Sequence, residues 1–274
     1  MRSIFFTKMS GTGNDFILID NREPVFPDGD TDCIRHLCNR KKGIGADGII
    51  LVEKSVSLDF KMRIINPDGS EVSMCGNGAR CAFVFARMLG LAKDISSLET
   101  LAGEVKASMQ GNLIRLNMGN PKDYRRMGSL VLGGEHMDVF YVNTGVPHAV
   151  VFVQDVLRFP VVEMGRMVRH HELFMPEGTN CNFVEILGKS AIRVRTYERG
   201  VEDETCSCGT GTCAGAIEAV LEKGLAWPVS STTLLDDKLI VDSNLERGNP
   251  FQDFYLIGPV DVCFTGKVDI PDSN

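Results

Sequence analysis

Two short stretches carry the residues best suited to chemistry: Met74-Cys75-Gly76-Asn77-Gly78-Ala79-Arg80-Cys81 and Ser207-Cys208-Gly209-Thr210-Gly211-Thr212-Cys213-Ala214. In each, a cysteine stands directly before a Gly-x-Gly turn, and an apolar segment of helical length follows, stopped by Gly90 in one case and Gly224 in the other. A cysteine at the mouth of a helix meets unpaired N–H groups and the positive end of the helix dipole, which favour a thiolate over a thiol. Two such cysteines predict a pair of matched acid/base groups. Inversion at a carbon needs such a pair, one group removing a proton from one face while the other supplies a proton to the opposite face. A proton next to a carboxylate is only weakly acidic, so the charge developing there needs preorganised donors. The amides of Gly76, Asn77, Gly209 and Thr210, at the two helix starts, are placed to form an anion cradle, and small neighbours leave it room.

The elements that must position these turns occur twice. Gly13-Asn14-Asp15-Phe16 lies over Gly145-Val146-Pro147-His148, and Gly13 precedes Cys75 by 62 positions where Gly145 precedes Cys208 by 63. Arg63 to Gly69 overlies Arg195 to Gly200 in the same way. The chain therefore reads as two copies of one unit, 1–120 and 121–264, with the seam at Asn120-Pro121-Lys122-Asp123. β-rich runs are expected at Ile4–Met9, Phe16–Ile19, Ile49–Val52, Phe60–Ile65, Leu98–Leu101, Glu104–Met109 and Leu113–Met118. The second copy repeats the order, with runs at Met137–Asn143, Ala149–Val153, Asn182–Ile186, Ala191–Tyr197, Thr232–Leu235, Lys238–Val241, Phe254–Gly258 and Val260–Thr265. Short helices are expected over Asp32–Arg40 and Val161–His170. An almost wholly apolar helix such as Cys81–Leu89 must be buried on all sides. The expected class is thus α+β, two pseudo-symmetric domains, each a mixed sheet or partly closed barrel wrapped around a central apolar helix.

Composition narrows the function classes. A net charge of −7 lacks the basic stripe of a nucleic-acid binder. No apolar run is long enough to span a bilayer, and the start of the chain is too short in apolar residues for a signal segment, so a cytoplasmic protein without a membrane partner is expected. Nine cysteines are an odd number for a disulfide framework, which favours reduced thiols. Cys33-x-x-His36-x-Cys38 and Cys206-x-Cys208-x4-Cys213 lack the paired CxxC spacing of a zinc site, so no metal is expected. Cys81, Cys181, Cys213 and Cys263 lie in apolar stretches and read as small core residues. Neither Gly-x-Gly turn has the rest of a dinucleotide or P-loop motif.

At this point the residues resemble a known family. Gly13-Asn14-Asp15-Phe16, Asn66-x-Asp68-Gly69-Ser70-Glu71, Met74 to Arg80, Tyr197-Glu198-Arg199-Gly200 and Cys208-Gly209-Thr210-Gly211 are similar to the motifs of diaminopimelate epimerases, from Phe6 to about Gly266. The resemblance implies interconversion of LL- and meso-2,6-diaminopimelate in lysine and peptidoglycan precursor synthesis, by two thiols and with neither pyridoxal phosphate nor metal. It also implies a cytoplasmic homodimer and a final strand returning to the first domain, so that a tail at 265–274 packs there. Carried over by position, Cys75 and Cys208 are the acid/base pair, and Gly76-Asn77 with Gly209-Thr210 the carboxylate cradle. Asn14, Asn66, Asn180 and Arg199 hold the far amino-acid end, with His148 and Glu198 beside the reacting centre, tuning the thiols. Val146 stands where the family often has asparagine, and Gly48 where some relatives have glutamine. The alternative reading is another cofactor-free amino-acid racemase of the same fold, or a proline-racemase-like enzyme.

Overall fold

The computed structural model describes residues 2–243 and 254–270, which form two compact units. The first takes in the chain up to Leu116 and again from Gly258, and the second is Asn117–Ile257. Of the expected 265–274 tail, residues 271–274 lie outside the described residues.

In the first unit, the strand Arg2–Gly11 turns through Thr12 and Gly13, both at positive φ, into Asn14–Asp20. Helix α1 (Thr31–Cys38), N-capped by the Asp30 carboxylate, then carries the chain to Gly48–Glu53, which runs parallel to Asn14–Asp20. Phe60–Ile65 pairs antiparallel with that strand. Helix α2 (Gly76–Met88) next crosses to Ile95–Thr100, parallel to Phe60–Ile65, and a meander through Gly103–Gln110 follows. Ile49 to Val52 are fully buried because helices cover both faces: Ile49 and Leu51 pack with α1 residues Ile34 and Leu37, and Ile50 lies under α2. The strand Asp261–Ile270 is antiparallel to Arg2–Gly11.

The second unit repeats this order. A hairpin of Lys122–Leu132 and Glu135–Asn143 turns at Gly133-Gly134, and Pro147–Phe152 follows antiparallel. Helix α3 (Val161–Arg169) leads to Asn180–Gly188, parallel to Pro147–Phe152, and Ala191–Glu198 pairs with it antiparallel. Helix α4 (Gly209–Lys223) crosses to Val229–Thr232, parallel to Ala191–Glu198, and Lys238–Ser243 and Phe254–Gly258 complete the meander. Small residues on α4, Ala214, Ala216 and Ala219, let the helix lie close on Val150, Val184 and Val194. Its left-handed Gly224, φ 70°, ends it as the sequence implied, and Gly90 at φ 74° does the same after α2.

The structure differs from the sequence reading in four places. The seam opens into an eleven-residue strand, Lys122–Leu132, whose alternate residues are mostly exposed and carry little apolar pattern. The strand expected at Thr232–Leu235 is shifted to Val229–Thr232, because Thr233 to Asp237 form a turn closed by Asp236 at positive φ. Helix α2 opens to solvent at Met88, so it is not enclosed at its C-terminal end. Cys263, read as core, is exposed on Asp261–Ile270, where residues 261–265 face outward, whereas Cys81, Cys181 and Cys213 are buried.

Glu218 is the least comfortable residue of α4, since both carboxyl oxygens are buried without a hydrogen-bond partner among the described residues. Burial, with Glu222 adding to it, pushes its carboxyl up from 4.5 to about 9. The folded protein therefore keeps a proton there that the unfolded chain has released above its ordinary value. Stability is present in full below that value and is lost as pH rises toward the folded one. Glu218→Leu, of similar volume, should raise Tm by about 4 °C or more at pH 8, with the gain shrinking at pH 5. An equal Tm change at both pH values would show that Glu218 does not titrate in this window.

Candidate active site

In the first unit the extended backbone of Cys75, φ −141°, makes it the N-cap of α2, and its Sγ accepts from the Gly78 N–H at 3.4 Å. This is the cap position at which a serine or aspartate oxygen usually takes the third N–H of a helix. A donor there, backed by the positive helix end, stabilises negative charge on the sulfur. The Cys75 thiol in turn donates to Asn14 Oδ1 at 3.6 Å. Asn14 is held in that orientation because its Nδ2 donates to Asp47 Oδ2 at 2.8 Å. Arg40 bridges Asp47 and Asp15, and Lys8 also reaches Asp15. Burial alone would raise the Asp15 carboxyl, but hydrogen bonds from Arg40 and Lys8 outweigh it and hold the group well below the usual range.

Gly76 and Asn77 form the first turn of α2, whose leading N–H groups have no acceptor within the helix. Asn77 is buried, and its carbonyl lies so close to Gly11 that a Cβ there would stand 2.9 Å from it. The fully buried Arg80 donates to Asn77 Oδ1 and to Thr12 Oγ1, both at 3.1 Å, tying the Ser10–Gly13 turn to the helix start. Asn66 lies in the turn after Phe60–Ile65, where its Nδ2 donates to Ser70 Oγ at 3.1 Å. Gly48 is fixed by backbone packing, since a Cβ would come within 2.9 Å of the Ile65 carbonyl.

In the second unit Cys208, φ −116°, caps α4 in the same way and accepts from the Gly211 N–H at 3.4 Å. Its Sγ also lies 3.4 Å from Thr210 Oγ1, and Thr144 Oγ1 donates to the Thr210 carbonyl at 2.9 Å. Gly209 and Thr210 open the helix as Gly76 and Asn77 do in α2. Asn180 begins its strand, donating from Nδ2 to the Pro147 carbonyl at 3.0 Å and accepting from the Arg199 N–H at 2.8 Å. Arg199 also donates from one guanidinium nitrogen to the Glu177 carbonyl at 3.1 Å. Glu198 ends Ala191–Glu198, half-buried, its carbonyl accepting from the Glu202 N–H at 2.8 Å. His148 is fully buried. Burial first, and the charge of Arg199 second, push its ring down to about 3, so it is neutral at working pH. Val146 contributes its carbonyl, which accepts from the Thr144 N–H at 3.2 Å.

In the first unit, then, the structure sets Asn14, Gly76 and Asn77 at the cysteine-capped helix start, and in the second it sets Gly209 and Thr210 there, while Asn66, Asn180 and Arg199 hold to neighbouring turns and strands. Cys33 and Cys38 face inward on α1 while His36 is exposed, so the three do not converge. Sequence reasoning missed Asp47 and Arg80. Arg80 stands in the quoted motif, and its polar side chain on an otherwise apolar helix face was the available signal. Asp47, in Gly45-Ala46-Asp47-Gly48, carried no signal until the parallel strands set it beside Asn14.

Two units of this build, each with a mixed sheet laid over one long apolar helix, define a known fold class. A Bacillus anthracis phenazine biosynthesis protein of the PhzF family shares it with a TM-score of 0.76 at 16% identity, over 98% of this chain and 100% of that one. A hydroxyproline epimerase from Agrobacterium vitis shares it with a TM-score of 0.70 at 17% identity, over 99% and 94%. The sequence places the chain more narrowly, matching the diaminopimelate epimerase family over residues 6–123 and 140–241. The diaminopimelate epimerase of Aquifex aeolicus is 39% identical over 276 residues, 96% of this chain and 97% of that protein. That of Flavobacterium psychrophilum is 40% identical over 259 residues, 94% and 97%. The chain belongs to the diaminopimelate epimerase family.

Proposed function

We propose that the chain inverts the α-carbon of 2,6-diaminopimelate between the LL and meso forms, using Cys75 and Cys208 and neither pyridoxal phosphate nor metal. The observation that carries this reading is that each cysteine caps a helix and receives an N–H from the third helical residue, so each sulfur can bear the charge of a base. One thiolate removes the α-proton from one face while the other, as a thiol, returns a proton from the opposite face. The two sulfurs leave the cycle with their protons exchanged, and the reverse reaction starts from that state. The carbanion is relieved by its carboxylate, whose growing charge is met by the first-turn amides of Gly76-Asn77 and Gly209-Thr210.

Arg199, with guanidinium N–H groups beyond the one on Glu177, suits a second carboxylate. Asn14, Asn66 and Asn180 suit the far ammonium and carboxylate, and His148 with Glu198 lies beside the reacting carbon. The enzyme acts in the cytoplasm as a homodimer in lysine and cell-wall precursor synthesis. No described helix is long and apolar enough to cross a membrane. The family likeness supports diaminopimelate; the fold shared with a hydroxyproline epimerase keeps another cofactor-free amino-acid racemase as the second reading.

Deuterium wash-in from D₂O at the α-carbon separates the two. Incubation with LL- and meso-diaminopimelate, proline, hydroxyproline, glutamate and alanine should label diaminopimelate alone. Label in proline or hydroxyproline, with none in diaminopimelate, selects the second reading; label in no substrate rejects both.

A further inference from the structure

Gly78 and Gly211 are each the third residue of their helix, but what lies beneath them differs. A Cβ on Gly78 would meet Ile64, Ile50 and Phe16 at 3.1, 3.2 and 3.5 Å. One repeat later the corresponding residues are Thr196, Asn182 and His148. The strand registers agree: Phe16 stands opposite Gly48 and Ile50 opposite Ile64, while His148 stands opposite Asn180 and Asn182 opposite Thr196. All six side chains are buried. The fold thus closes beneath a helix start with three apolar side chains. Burying three polar ones there costs stability unless each is bonded, so their presence has a reason other than packing.

Their hydrogen bonds give the reason. The Ala149 carbonyl can only accept, so Asn182 turns Nδ2 toward it, at 2.9 Å, and the same nitrogen lies 3.1 Å from His148 Nδ1. Both amide hydrogens are therefore committed. From the other side the Thr196 hydroxyl donates to Asn182 Oδ1 at 2.9 Å, which locks the amide against flipping. An amide NH₂ cannot accept, so His148 Nδ1 is the unprotonated nitrogen and the ring proton sits on Nε2. That Nε2 is buried and has no hydrogen-bond partner among the described residues.

We infer that Asn182 is a positioning residue: it holds His148 as the neutral Nε2–H tautomer, keeping one donor ready for the reacting substrate, and seats the turn of Cys208. The seat is direct, since a Cβ on Gly211, whose N–H donates to Cys208 Sγ, would come within 2.2 Å of Asn182 Oδ1. The role in catalysis rests on reading Cys208 as an acid/base group. The first unit has Phe16, Ile50 and Ile64 in the corresponding places beneath Gly78.

The test is ¹⁵N NMR of the imidazoles at pH 7 in the resting enzyme, with His148 assigned by its absence in His148→Phe. Wild type should show Nδ1 bare and Nε2 protonated. Asn182→Asp puts an acceptor where the donor stands; the ring proton should then move to Nδ1, and kcat should fall on the order of 10- to 100-fold with KM changed less, as for other outer partners that orient a histidine. A wild-type ring protonated at Nδ1, or an aspartate variant with unchanged tautomer and kcat, overturns the inference. Should that variant fail to fold, Asn182→Ser, able to donate or accept, takes its place. A mixture of tautomers is then expected, and an undiminished Nε2–H population overturns the inference. The spectra need no substrate, so they stand whether or not Cys208 proves to be the acid/base group, which the Cys208→Ala kinetics decide separately.

Discussion

Cys75→Ala and Cys208→Ala should each bring the kcat for epimerisation below about 1% of wild type, general acid–base groups contributing on the order of 10²- to 10⁴-fold. The loss falls on kcat because the thiol acts in the transition state, where one face of the carbon is left without its proton carrier. Neither substitution removes core volume, since both cysteines are only half-buried, so circular dichroism should stay that of the wild type. The helix loses one weak sulfur cap, which costs at most about 1–2 kcal/mol by comparison with stronger oxygen caps. Inversion above 1% of wild type in either folded variant, measured from both LL- and meso-diaminopimelate, would remove the two-base scheme.

Gly211→Ala should be far more damaging than Gly78→Ala, although the two glycines are equivalent in the repeat. At Gly78 the new methyl meets the ends of Ile64 and Ile50 at 3.1 and 3.2 Å, and such ends can shift by a few tenths of an ångström. At Gly211 it would stand 2.2 Å from Asn182 Oδ1, an atom held by Thr196 in an amide also bonded to His148 and Ala149. The helix start must then rise, which moves the N–H on Cys208 Sγ, or the amide network must break. Misplacement by about 1 Å near the reacting centre costs on the order of 10²-fold. We expect that loss or more for Gly211→Ala, and less than about 10-fold for Gly78→Ala, an overpacking of modest cost. Equal losses in the two variants would mean that the buried polar trio does not brace the Cys208 turn.

The sequence by itself determined what is local. A cysteine before Gly-x-Gly reads as a helix cap because capping involves only the next three residues, and glycines at 90 and 224 end helices through their own left-handed backbone. The repeat was legible because Gly13 to Cys75 and Gly145 to Cys208 keep their spacing, and strands such as Phe60–Ile65 show period-two alternation within themselves. Tertiary structure decided whatever depends on strand register. His148, Asn182 and Thr196 come from three strands and meet only through one parallel and one antiparallel pairing. In the sequence Asn182 is a polar residue in an apolar run, with nothing to separate a solvent-facing asparagine from a buried one. Asp47 reaches Asn14 across a crossover through α1, Cys263 is exposed because of where its strand pairs, and Glu218 is buried neutral because of what covers α4. In each case the energy of the residue is set by atoms far away in sequence, and side-chain type alone does not carry that information.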